Sequence, residues 1–573
     1  MVSGRKFGRR KLGPAALIGS VLAAAAVLAG CGGAASGPQL HNSNQLAHKQ
    51  EDINPAPVST LVDGKFVWPI PTWWPNWNFN EVDGTNSAQP DVYGSYLPSF
   101  FTIQPDTSAV INHDYLDSAT ITSTNPQVVT YNINPKAKWS NGDPLIWSDL
   151  KAQWQALNGT NPAYEAAETN GYDDIASVTQ GTSPTQAIVT FSKPLAEWQY
   201  LFSRNSPLYP PSVNATPQSF NTSLSGGPST ISAGPFVITS INKDQGTIIA
   251  TRNPQWWGAK PVLSRIIYQV VSKANRGDAM ANGEITETAL YANADVYKRA
   301  QKMPNVAIRE SIAKNFNDYC LNGRPGDLLS DLKLRTAIVT GIDGNEFTKA
   351  GIGSIEPNPT PVGNHLYLPG TKYHEDHSGL TAFNLAKAQS ELDADGWKLA
   401  PGKQYRTKNG QELDLSFLDY ADNPADAESN KLMFSQLARL GAKGTLEGVP
   451  EAQYDSLLDK GQWDITGCGW PLSAFPISFM ETTYYLDPHS MGQNFGQIGS
   501  SEINKLFDEA NATFDPDKRA QLGNQIDQDL WNLAQDIVTY QSPGVVLVDK
   551  NVANFGAFGF ADVDYTKIGF TKS

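Results

Sequence analysis

A single hydrophobic core stops growing at about 250–300 residues. This chain has 573 residues, so it must fold as two or more lobes. Hydrophobic residues make up 40 % of it and charged residues 17 %, a balance that folds rather than staying disordered. Its 14 Trp residues lean high. The large, flat, semi-polar Trp ring serves big cores and also stacks on ligands.

The N-terminus sets the compartment in which those lobes fold. "MVSGRKFGRRKLG" is a basic stretch and "PAALIGSVLAAAAVLAG" an apolar, small-residue one, the layout of a secretory signal. The apolar run falls short of the ~20 residues that a spanning helix needs. It ends in "VLAGC", and Leu28-Ala29-Gly30-Cys31 resembles the bacterial lipobox. That resemblance implies lipidation of Cys31 and a protein tethered to the outer face of the cytoplasmic membrane. Residues 32–55, rich in Gly, Ser, Asn and Pro, read as the flexible tether. No later apolar run reaches spanning length, so the body is expected to be extracytoplasmic and held by the lipid alone.

Without residues 1–31 the chain keeps 38 basic and 57 acidic residues, a formal charge of −19 against −14 for the whole. Such a surface repels nucleic-acid phosphates and anionic headgroups, which excludes nucleic acid as a partner. Two cysteines remain, Cys320 and Cys468. In an oxidising compartment they could form one disulfide, or stay as two buried thiols.

Periodicity predicts a mixed α/β body. "QVVTYNI" (127–133) and "AIVTF" (187–191) read as strands. Between them, Ser148 is expected to cap a helix with Leu150, Trp154 and Leu157 on one face. Further helices are expected from Asp331, around Ala386 to a stop at Asp395-Gly396, from Ser501, and from Asp515-Pro516 as cap and first position. The chain carries no G-x-x-x-x-G-K-[ST], H-E-x-x-H, G-x-S-x-G or C-x-x-C. "HEDH" (374–377) could place two imidazoles near a metal, but it lies in a polar stretch that reads as a surface loop. Neither a metal, a cofactor nor an enzymatic activity is expected.

Six stretches, in order, resemble the bacterial ABC-importer substrate-binding proteins of solute-binding family 5, the oligopeptide and dipeptide binders. "WSNGDPLIWSD" (139–149) looks like the family's Trp-Ser-[Asp/Asn]-Gly-x-Pro block, and "SAGPFVI" (232–238) like its Gly-Pro-[Tyr/Phe] strand entry. "RNPQWWGAKP" (252–261), "DLKLRTAIVTGID" (331–343), "FNLAKAQSELDADGW" (383–397) and "FDPDKRAQLGNQIDQDLW" (514–531) match four more. The tighter likeness is to actinobacterial lipoproteins of this family. The resemblance implies a two-lobed α/β fold of the periplasmic-binding-protein type (type II, cluster C) with an accessory domain. Residues 56–95, 230–305 and 532–573 would form lobe I, 96–229 the accessory domain and 306–531 lobe III. It also implies a monomer that hands its ligand to an ABC permease driven by cytoplasmic ATPases.

The same resemblance suggests where ligand binds. In peptide-binding members an Asp within Gly-Trp-x-x-Asp-x-x-x-Pro meets the peptide ammonium. Here "GCGWPLSAFPISFM" (467–480) keeps Gly469, Trp470 and Pro476, while the position of the acid falls on Ser473 or Ala474. A buried ammonium without a carboxylate costs several kcal/mol, and a neutral hydroxyl recovers about 0.5–1.5 of that. Another acid must then meet the ammonium, or the ligand is not a free-amino peptide. Glu481 and Asp487 are the nearest acids and are expected to be solvated. Trp470 and Phe475, with Trp73, Trp74 and Trp77 of "PTWWPNWNF" (71–79), could stack on side chains or on sugar rings. An oligosaccharide or cell-envelope glycolipid is therefore the alternative ligand. Asn322 either lines the cleft or caps a turn. Cys320 and Cys468 fall in segments that the family places side by side, which favours the disulfide.

Overall fold

The computed structural model describes residues 49–572 apart from 291–292, 357–358, 360, 421–426 and 488–490. Cys31 and residues 32–48 of the expected tether lie outside the described residues.

Three sheets organise the chain. Near the N-terminus, Phe66–Ile70 runs parallel to Arg265–Val270, and Thr247–Arg252 and Phe236–Asn242 continue that sheet antiparallel. The middle of the chain builds an antiparallel sheet in the order Leu116–Thr124, Gln127–Ile133, Gln186–Phe191, Ile175–Gln180. The C-terminal half builds a mixed five-stranded sheet in the order Lys443–Val449, Asp414–Tyr420, Ile465–Pro471, Asn315–Leu321, Asp536–Gln541. The last residues return to the start, where Leu61 pairs with Thr571.

Local sequence accounts for these elements. Gln127–Ile133 alternates buried and half-buried residues along its length, as a strand with one covered face must. Its inward Gln127 is spent on the main chain of Leu195, donating from Nε2 (3.0 Å) and accepting at Oε1 (2.7 Å). Asp331 caps Leu332–Gly341, and Asp515 caps Pro516–Asn532 by accepting from the amides of Asp517 and Lys518. Leu385–Ala394 stops before Gly396, whose φ of +95° suits glycine. Ser501–Asn511 buries Ile503, Leu506, Phe507 and Ala510, with Ser500 as its cap.

One helix start differs from expectation. The helix Trp147–Leu157 begins before Ser148, after Ile146, which offers no side-chain acceptor. Asp149 does the capping instead, from inside the first turn: its Oδ2 accepts from Ile146 N (3.2 Å) and from Trp139 Nε1 (3.0 Å).

The quoted sequence blocks are tied to one another. Ser140 N donates to Ser232 O (2.6 Å) and Ser232 N to Ser140 Oγ (3.1 Å). Asn253 Nδ2 donates to Gly234 O (2.9 Å). A Cβ at Gly234 would lie 2.7 Å from Tyr96 Cα, so only glycine fits there. These blocks form a knot that joins the middle sheet to the N-terminal one. A continuous apolar cluster then runs from Phe100, Tyr131 and Phe202 to Phe316, Trp470 and Phe475, so the middle segment packs directly on the C-terminal half.

Candidate functional site

Trp470 lies on the central strand Ile465–Pro471, opposite Phe316 of Asn315–Leu321. Its indole donates to Asp318 Oδ2 (3.1 Å), and its ring stacks on Phe495 at 6.2 Å and 21°. Beyond the strand, Leu472 N donates to Lys314 O (2.5 Å), and Ser473 Oγ accepts from Phe475 N (3.2 Å). Phe475 precedes Pro476–Tyr484, a helix with proline at its start. Gly and Pro therefore interrupt this stretch where a strand turns into a helix.

That turn meets the middle segment. Phe475 packs edge-on against Tyr200 at 6.1 Å. The Glu197 carboxylate accepts from Ser478 N (2.8 Å) at the helix start, with Arg519 Nε 3.7 Å away. Asn170 Nδ2 donates to Ser478 O (2.7 Å), and Ala196 N to Asn511 O (2.7 Å). Trp470, Ser473 and Phe475 are thus gathered beside the closed junction, buried rather than open.

The other expected ligand residues lie elsewhere. Trp74 and Trp77 stand edge-to-face at 4.6 Å within the N-terminal core and are 5 % and 1 % exposed, so neither offers a free face. Asn322 is fully buried, and its Nδ2 donates to Trp463 O (2.7 Å), Gly461 O (3.0 Å) and Asp327 Oδ2 (2.9 Å). It clasps a turn. Cys320 and Cys468, on the two central strands, are joined by a disulfide with Cα atoms 5.7 Å apart. Glu481 is not solvated as expected: burial pushes it up to about 7, and its carboxylate accepts from Asn511 Nδ2 (2.9 Å). "HEDH" is an irregular segment with Glu375 and Asp376 exposed, as expected of a surface loop, while His374 and His377 are half-buried. His374 Nε2 lies 2.9 Å from Val362 O, and His377 Nδ1 lies 2.6 Å from Asp527 Oδ2.

The chain also gathers a set of charged residues that no motif announces. Asp91, Arg204, Arg276, Glu287, Lys314 and Asp562 come from six separate stretches of the chain. Arg204 bridges the N- and C-terminal stretches, with Asp91 at 3.1 Å and Asp562 at 3.6 Å. Asp562 Oδ2 also accepts from Ile103 N (2.8 Å). Asp91 keeps 40 % of its side-chain surface, yet loss of solvent raises it while Arg204, Lys314 and Arg276 pull it back. Burial pushes Glu287 up to about 8, aided by Asp91 and opposed by Arg276. Lys314 is exposed. Desolvation and Arg204 lower it to about 8, against the pull of Asp562 and Asp91.

Comparison with known proteins agrees with this architecture. The family described as bacterial extracellular solute-binding proteins, family 5 Middle, matches residues 114–490. The chain is 38 % identical over 563 residues to the oligopeptide-binding protein OppA of Mycobacterium tuberculosis, covering 96 % of this chain and 93 % of that one. It is 24 % identical over 287 residues to the probable monoacyl phosphatidylinositol tetramannoside-binding protein LpqW of the same organism, covering 49 % and 44 %. The solved structure of the periplasmic EDTA-binding protein EppA superposes with a TM-score of 0.80 at 24 % identity, covering 91 % of this chain and 98 % of that one. That likeness shows the α/β binding-protein fold.

Proposed function

The chain belongs to the family-5 bacterial extracellular solute-binding proteins, and on that premise we propose that it captures oligopeptide-type solutes for an ABC importer. The observation that carries this reading is the 38 % identity to an oligopeptide-binding protein along 96 % of the chain. The charged set around Arg204, drawn from separate stretches of the chain, supports it, because ligand sites of this kind lie between lobes and carry a few placed polar groups.

In this reading the ligand lies between the turn 472–478 and the segments bearing Asp91, Arg204 and Asp562. Trp470, Ser473 and Phe475, buried beneath the turn, back one wall. Closure uses the contacts of Glu197, Asn170 and Tyr200 with that turn. The division into lobe I, accessory domain and lobe III given above applies. Cys31 carries the lipid, and the protein works as a monomer with permease subunits and their ATPases. No step of bond chemistry is assigned to it.

Titration of intrinsic Trp fluorescence with defined oligopeptides, and in parallel with oligosaccharides, tests the reading. Saturable quenching by peptides alone supports it. Saturation by sugars with no response to peptides contradicts it and favours the glycan alternative.

A further inference from the structure

We propose that the C-terminal half of the chain holds an alkali-metal cation, Na+ or K+, in a cavity behind Trp470. The site lies within one sheet and its covering helix, so it is separate from the ligand-binding reading above and does not depend on it.

Adjacent strands bring two acids to one face of the sheet. Asp318 pairs with Val538, and Cys320 with Asp536, which makes Asp318 and Asp536 diagonal neighbours within reach of each other. Trp470, on the strand at the other side of Asn315–Leu321, donates its indole proton to Asp318 Oδ2 (3.1 Å). The cavity beside these residues is lined by Trp470, Tyr484, Gln493, Gln535 and Asp536. The Tyr484 hydroxyl faces Asp536, Asp318 and Asp527.

Its polar atoms are acceptors in excess. Asp318 and Asp536 are both buried, and their cationic neighbour is His365, with Nε2 3.1 Å from Asp536 Oδ1. Asp527 takes the other nitrogen of His365 (2.6 Å) and also meets His377 Nδ1 (2.6 Å). One shared imidazole is thus left to balance the Asp318–Asp536 pair. Asp318 Oδ1, the Tyr484 hydroxyl and Gln535 Oε1 are buried and have no hydrogen-bond partner among the described residues. Tyr484 carries a single hydroxyl proton and can satisfy only one acid with it. Unmet buried groups of this kind call for a water or an ion. Water would fill the lone pairs but leave the second carboxylate charge in the interior, which is costly. A cation does both.

Carboxylate, amide and hydroxyl oxygens are ligands for hard cations. Among the described residues no three His, Cys, Asp or Glu side chains group as a metal site, so the donors here are a pair of acids with neutral oxygens beside them. Two carboxylates offset by one imidazolium leave one charge to neutralise, which a monovalent ion matches. A proton on Asp318 is the competing neutraliser, and experiment separates the two.

The test is thermal unfolding of the mature chain in NaCl, KCl and choline chloride at equal concentration, choline being too large for the cavity. The melting temperature should be about 2–4 °C higher in NaCl or KCl than in choline chloride, as for a ligand held moderately above its Kd, and the difference should saturate with salt. Asp318→Asn keeps the shape and removes the charge, and should abolish the difference. Tyr484→Phe deletes one oxygen and should shrink it, so either variant serves if the other fails to fold. Identical melting in all three salts, or a difference that survives both substitutions, overturns the site and leaves a proton or water there. Neither result bears on peptide capture.

Discussion

The Trp470 indole donates to Asp318 Oδ2 across 3.1 Å, from one central strand of the C-terminal sheet to its neighbour. Burial and the charge of Asp536 raise Asp318 well above the carboxylate range. Its second oxygen, Oδ1, has no donor among the described residues. Trp470→Phe keeps an aromatic ring against Phe495 and deletes the donor. It should cost about 1–3 kcal/mol, the penalty of an unsatisfied buried acceptor, read as a lower denaturant midpoint with an unchanged slope. No shift would show that the indole bond is not made.

Next to this pair, His365 stands between Asp527 (Nδ1, 2.6 Å) and Asp536 (Nε2, 3.1 Å). Burial lowers its proton affinity, but the two carboxylates outweigh it and lift His365 to about 10 from the ordinary 6.5. The folded value exceeds the unfolded one, so this stabilisation is complete below pH 6.5 and lost as pH climbs through about 10. Asp527 is held below 3.8 by its hydrogen bonds and the His365 charge against the penalty of burial, so its contribution disappears as the pH falls below that value. Melting temperatures from pH 6 to 10 should decline in wild type. His365→Gln should flatten the decline and cost about 3–5 kcal/mol near neutrality, because two carboxylates lose their buried partner.

Local order was readable from sequence because it depends on neighbours. Gln127–Ile133 alternates, and Asp515-Pro516 caps its own helix. The identity of "GCGWPLSAFPISFM" as a strand-to-helix crossing also follows from its Gly and Pro once the strand partner is known. The charged cluster was not readable. Lys314, Arg204, Asp91 and Asp562 are ordinary surface residue types in sequence, and only chain crossings bring them together. Trp74 and Trp77 misled for the converse reason: an aromatic run has the same composition whether it lines a cleft or fills a core. The half-buried placement of His374 and His377 is not legible in the stretch itself, because their partners, Val362 and Asp527, lie outside it.

The junction between the middle segment and the turn 472–478 gives a further prediction. Glu197→Ala removes the acceptor for Ser478 N and the partner of Arg519. It should lower stability by about 1–3 kcal/mol and weaken ligand binding, since fewer molecules reach the closed form. Glu197→Gln retains an acceptor oxygen and should bind ligand close to wild type. Identical binding by wild type and the Ala variant would remove this contact from the closure mechanism.

The disulfide bridges a sequence separation of 148 residues. Thiol titration of the denatured, unreduced mature chain should find neither Cys320 nor Cys468 free. The Cys320→Ser/Cys468→Ser double variant should lose about 2–4 kcal/mol, mainly through a freer unfolded chain. Two titratable thiols, with equal stability of variant and parent, would contradict the bridge.

Native mass spectrometry of the mature chain purified from its host, with tandem sequencing of whatever dissociates, tests the central claim most directly. The expected result is a released ligand that fragments as a peptide. A ligand that fragments as a glycan or glycolipid, with no amide series, would contradict it.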